Sequence, residues 1–137
     1  MQTFLPYSSY VDSFTVLDWK RLGKQRVETK QILMTLIGES KGWINHPAVK
    51  MWRGCEGQLA LYGYECCTEW ISRGYKDSLL QFFGNFLSSV NNFEVPSWIG
   101  DQKFHESHRS NLVRKFPEHY KVFWLDVKDD LPYIWPV

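Results

Sequence analysis

Arg21, Gln25 and Glu28 stand at i, i+4 and i+7, a spacing that stacks three side chains on one face of a helix. Lys24 and Arg26 flank the row. A lone carboxylate set among four cations on one helix could mark a functional site. The same composition also describes a solvated helix face, whose ion pairs are worth at most about 1 kcal/mol each. The row runs on into Ile32, and a polar stripe that continues an apolar one belongs at the rim of a cleft.

The histidines give a weaker pattern. His46 sits at a helix start, where it also reads as a cap. His105 and His108, at i and i+3, are spaced to share a metal, but Asp101 and Glu106 are the nearby acids and no third histidine has helical spacing. No metal is therefore expected, and the pair reads as polar surface or phosphate contact. Ser107, Arg109, Ser110 and Asn111 complete a donor cluster of the kind that meets phosphates. Cys55, Cys66 and Cys67 form neither a disulfide framework nor a zinc motif. Cys66 and Cys67 fall on the buried side of their helix without a basic partner, which argues against a nucleophile.

The net charge of +1 hides two basic clusters. Lys20, Arg21, Lys24, Arg26 and Lys30 crowd the first, and Lys103, Arg109, Arg114 and Lys115 the second; Asp126, Asp129 and Asp130 in the tail offset them. A DNA-binding protein usually shows an overall basic excess, so any such role must rest on these clusters. Of the seven Trp, seven Tyr and nine Phe, most must form core. Two or three left on a basic face would make a stacking platform for bases. No apolar run approaches the ~18 residues of a membrane span, and the N-terminus lacks the features of a signal peptide. A cytoplasmic protein with no membrane contact is the expectation.

The elements that must position these residues read as all-α, one compact domain over 1–137 with three main helices, short helices and an irregular aromatic C-terminal tail. Residues 1–16 look irregular. Asp18 caps a helix running to about Ile37, with Gly38 as its stop; Gly23 inside it costs about 1 kcal/mol and signals close packing or a ligand at the backbone. A second helix, capped by Asn45 or His46 with Pro47 in its first turn, carries a stripe from Trp52 to Trp70 and closes at Arg73-Gly74. A shorter one is predicted over Ser78–Leu87, and a third strong one from Asp101 or Phe104 to Lys115. Pro117 opens a continuation through Phe123. Leu131–Val137 holds prolines that forbid a regular helix, and its rings should cover the body or face a ligand.

Three blocks in order resemble a known family. Leu17-Asp18 leads into a helix bearing Arg26-Val27-Glu28. Pro47 opens a segment that ends Glu69-Trp70-Ile71-Ser72-Arg73-Gly74-Tyr75. Gly100-Asp101, His105, Leu112, Lys115, Pro117 and Tyr120 form the third block. Spread over nearly the whole chain, this pattern resembles the pyrimidine-dimer DNA glycosylases with associated AP lyase activity, the phage endonuclease V type.

The resemblance implies an all-helical, metal-free enzyme without cofactor that excises UV-dimerised or otherwise altered pyrimidines from double-stranded DNA. It implies an N-terminal α-amine as nucleophile, an iminium at C1′, and strand cleavage by β-elimination. Carried over, the catalytic residues are Met1, Glu28 and Arg26. Gln2, Arg21, Lys24, Gln25, His46, His105, His108 and Arg109 are expected on DNA, in a monomer needing no protein partner. Gln2 after Met1 departs from the small residue that family members expose: either the Met1 amine is the nucleophile, or the lyase step is weak or absent. The longer arm also permits a register with Gly23 at the acidic position; Glu28 is preferred because the other register leaves the helix without a carboxylate. Two rivals stand beside this reading: a non-catalytic DNA-binding protein of the same fold, and a metal nuclease built on His46, His105 and His108.

Overall fold

Side-chain caps open four of the seven helices. In the computed structural model, which describes all 137 residues, seven helices follow one another: α1 (Tyr10–Val16), α2 (Trp19–Leu36), α3 (Pro47–Lys50), α4 (Glu56–Ser72), α5 (Leu80–Ser89), α6 (Gln102–Lys115) and α7 (Pro117–Tyr120). The expected all-α architecture is the one observed. Asp18 caps α2 by accepting the Arg21 N–H, and Asp101 caps α6 by accepting from Lys103, each satisfying a donor that the helix itself cannot. α2 gives out at Ile37, and Gly38 follows with φ +86°, a conformation that suits glycine.

Three boundaries differ from the sequence reading. Residues 1–16 are not irregular throughout, because Ser9 accepts the Asp12 N–H and opens α1, which buries Phe14 and Val16. Seven residues are too short a run to display a helical period. The helix expected from Pro47 to Arg73 is broken in two: α3 makes a single turn behind its His46 cap, Gly54 takes φ +85°, and α4 restarts at Glu56. Trp52 and Cys55 in the break are buried on the same side as the α4 stripe, so the apolar spacing ran unbroken across a discontinuous backbone. The continuation after Pro117 ends at Tyr120, short of Phe123.

α4 is the central strut, with α2, α1 and α5 packed on it. Two contacts bring these helices close. A Cβ at Gly63 would lie 2.4 Å from the Phe83 ring of α5, and one at Gly23 would lie 2.9 Å from Trp70; close packing thus explains the glycine inside α2. Trp52, fully buried, meets Trp98 edge-on at 5.0 Å and Tyr62 at 5.7 Å. Arg73 at the end of α4 donates to the Phe14 carbonyl at 2.9 Å and so holds α1 down. No helix is long and apolar enough to cross a membrane.

Candidate active site at the N-terminal arm

Residues 2–7 form an arm without regular secondary structure. Such a segment needs partners for its peptide groups where it is buried, and side chains of the body supply them. Gln2 N–H donates to Glu28 Oε2 at 3.1 Å, and Gln2 O accepts from Gln25 Nε2 at 2.6 Å. Phe4 N–H donates to Gln25 Oε1 at 2.8 Å, while Phe4 O accepts the Tyr62 hydroxyl at 2.7 Å. Thr3 Oγ1 accepts from Trp52 Nε1 at 3.0 Å. Leu5 is held from both sides by α6, its N–H donating to His108 Nδ1 at 2.9 Å and its O accepting from His105 Nδ1 at 2.8 Å. Arg109 reaches Pro6 O at 2.6 Å.

The arm ends in a cleft of about 390 Å³ lined by Met1, Gln2, Phe4, Lys20, Arg21, Lys24, Gln25, Glu28, Lys115 and Tyr133. Four cations and one carboxylate share this wall. Its local potential is therefore positive although the whole chain is nearly neutral, and a concave wall focuses that field on an anionic ligand. Glu28 is largely buried, and Lys24, mostly exposed, stands 3.6 Å from its Oε1. Arg21 is partly engaged at 3.1 Å by Asp18. Gln2 uses its Oε1 on the Thr3 N–H, which leaves its Nε2 a buried donor with no partner. Burial lifts the Tyr133 hydroxyl to about 12, only partly opposed by Arg114 and Arg21, so the ring enters the cleft as a neutral donor.

The histidines have definite tautomers. Gly100 N–H donates to His105 Nε2 at 2.9 Å, so its Nδ1 carries the proton given to Leu5 O. His108 accepts at Nδ1 and holds its proton on Nε2, a nitrogen without a hydrogen-bond partner, in a ring packed against Phe104, Tyr133 and Phe4. Burial depresses His108 to about 3, with His105 adding to the effect. His46 accepts the Ala48 N–H at Nδ1, 3.0 Å away. Burial first and the Met1 ammonium second lower His46, while Glu28 opposes them, placing His46 within the field of the amine and the carboxylate. Each of the three imidazoles thus spends its one lone pair on a backbone N–H. That leaves no free nitrogen for the metal site on which a nuclease reading would depend.

Of the residues singled out from sequence, Met1, Gln2, Arg21, Lys24, Gln25 and Glu28 come together in the cleft, with His46 close by. Arg26, expected in catalysis, does not line it. Its guanidinium pairs with Asp77 (Nε–Oδ1 2.7 Å) and lies 4.9 Å from the centre of the Trp70 ring. The two-residue step from Arg26 to Glu28 turns them to different sides of the helix. His105 and His108, expected on DNA, are buried and hold the arm instead. Their neighbours in the cluster expected to meet phosphates do the same for the tail: Asn111 donates to Leu131 O at 3.1 Å, and Ser110 and Ser107 accept from Leu131 N and Ile134 N. Arg109 is spent on Pro6. Phe4 was not singled out, while Tyr133 belongs to the tail whose rings were expected to cover the body or face a ligand, and it lines the cleft. Burial and the neighbouring Asp77 keep the Cys67 thiol up at about 12, in keeping with an inert side chain.

No curated protein and no solved structure matches the chain. A family model described as pyrimidine dimer DNA glycosylase matches residues 1–81, the stretch that supplies Met1, Gln25, Glu28 and His46. A match over more than half of the sequence places this chain in the pyrimidine dimer DNA glycosylase family.

Proposed function

We propose that the chain excises dimerised or otherwise altered pyrimidines from double-stranded DNA and then cleaves the strand as an AP lyase, with the Met1 α-amine as nucleophile and Glu28 as proton carrier. The observation that supports this most is the 3.1 Å bond from Gln2 N–H to Glu28, which sets the first residue of the chain beside the one carboxylate of a cationic cleft. α-Amines as a class titrate near ~8 and lysines near ~10.4, so an α-amine is the more available nucleophile at neutral pH.

The unprotonated amine attacks C1′. The C1′–N1 bond breaks, its electron pair leaves on the pyrimidine, and solvent protonates the released base. The proton shed by the attacking nitrogen passes to Glu28, which delivers it to O4′ as the sugar opens to the iminium. Glu28, again a carboxylate, removes a C2′ proton, and the C3′–O bond breaks with the 3′ phosphate as leaving group. Lys20, Lys24 and Lys115 hold the flanking phosphates.

Borohydride trapping on an abasic-site duplex tests this reading, since only an iminium is reduced to a stable cross-link. The protein should cross-link, acetylation of the α-amine should abolish the product, and excess EDTA should leave it intact. A cross-link that survives acetylation but disappears in Lys24→Met transfers the nucleophile to Lys24. Tight binding without any cross-link reduces the chain to a DNA-binding protein of the same fold.

A further inference from the structure

Trp43 has φ +63° and is the one non-glycine residue with positive φ. For a bulky side chain this is a genuine outlier, and strain of this kind persists only where the surroundings hold it in place. Here they do. Thr35 Oγ1 donates to Gly42 O at 2.8 Å, and His46 N–H donates to Trp43 O at 2.8 Å. The loop between α2 and α3 is thus tied on both sides of the strained residue.

The strain does not bury the ring. Trp43 is 59% exposed, the most exposed of the tryptophans, and Ile44 beside it is 47% exposed. Two large apolar side chains therefore stand out at adjacent positions, with the exposed Lys41 before them and Lys50 after. A run of rings leads from this point to the cleft: Trp43 meets His46 edge-on at 5.9 Å, His46 meets Trp135 at 5.7 Å, and Trp135 meets Tyr133 at 5.7 Å. Tyr133 lines the cleft itself.

Glycosylases draw a nucleotide out of the stack, which costs stacking and pairing energy. Apolar side chains inserted at the vacated step offset that cost, and an indole stacks on any base without reading its sequence. We propose that Trp43, seconded by Ile44, is the wedge that enters the base stack beside the lesion and holds the duplex open while C1′ reaches the cleft. This rests on the glycosylase reading above. It accounts for a large ring held outward on a strained backbone, three ring contacts from Tyr133 of the cleft.

The test compares one oligonucleotide carrying a single pyrimidine dimer, as a duplex and as a single strand, by rate of glycosidic-bond cleavage in the full-length protein. A single strand has no paired stack to open. Trp43→Ala should slow duplex cleavage at least ~10-fold, the scale of one lost aromatic–base stack, and leave the single strand nearly unchanged. Trp43→Phe should recover most of the duplex rate. Trp43→Gly, which relieves the backbone, should be as slow as the alanine variant on duplex while melting no lower than wild type. Wild-type duplex rates in Trp43→Ala, or equal losses on both substrates, would overturn the wedge. Wild-type protein that cleaves neither form overturns the glycosylase reading, and the wedge with it.

Discussion

Gln2 N–H and Glu28 Oε2 lie 3.1 Å apart across 26 residues of chain, and one turn earlier on α2 Gln25 grips the same arm through Gln2 O and Phe4 N–H. The two side chains divide the work. Gln25, buried and hydrogen-bonded at both ends of its amide, fixes the arm. Glu28 keeps Oε1 for Lys24 and the cleft. The position of the amine relative to the carboxylate is therefore set by a neutral residue that need not take part in the chemistry.

Glu28→Gln should separate fold from chemistry. The amide oxygen still accepts the Gln2 N–H, so the arm should stay in place and the melting temperature should change little. Proton transfer is lost, and general acid–base roles are worth ~10²–10⁴-fold. Base release should fall at least ~100-fold with damaged-duplex affinity retained. Near-normal turnover in this variant would move the active site elsewhere.

Salt dependence should report the lysines that line the cleft. Lys20→Ala and Lys115→Ala should each weaken duplex binding and flatten the plot of log affinity against log salt by about 0.9, the value of one phosphate contact. Arg26→Ala should leave that slope alone, because its charge is committed to Asp77. A slope that changes for Arg26 and not for the lysines would place DNA on the other side of α2.

Arg26→Ala should act on stability instead. The Asp77 side chain is 1% exposed and that of Arg26 11%. Burial alone would raise the Asp77 carboxyl, but the Leu80 N–H, the Arg26 guanidinium and the Leu79 N–H together hold it below its ordinary value. Removing the cation strands a buried carboxylate, at a cost of about 3 kcal/mol or more. Urea denaturation should show that loss. At temperatures where the variant is folded, its base-release rate should match wild type.

Acid should destabilise the fold through the arm-holding histidines. His108 falls from 6.5 to about 3 on folding because it is buried, and burial also lowers His105. Between those limits the unfolded chain binds a proton at His108 that the native one refuses, so stability is full above pH 6.5 and drains as pH falls toward 3. The slope is about 1.4 kcal/mol per pH unit for each such proton. His108→Asn, whose amide oxygen can replace Nδ1 as acceptor for Leu5, should remove about one proton's worth of that slope in urea midpoints measured from pH 6 to 4. An unchanged slope would show that His108 is not the group responsible.

The sequence by itself determined the local structure of α2. Asp18 as cap, Gly38 as stop and the row Arg21, Gln25, Glu28 are all relations within a few turns, where spacing alone decides which side chains share a face. The three-block pattern likewise reached the family through its first half. Tertiary structure decided what each polar residue does there. The α6 cluster read as a phosphate-contacting surface because its composition is polar, yet His108 meets Leu5 across 103 residues and Asn111 meets Leu131 across 20. No short-range period carries contacts at such separations. Arg26 and Glu28 have the same local signature of a charge on a helix; Asp77 beside one, and the arm beside the other, make the first a structural ion pair and the second the carboxylate of the cleft.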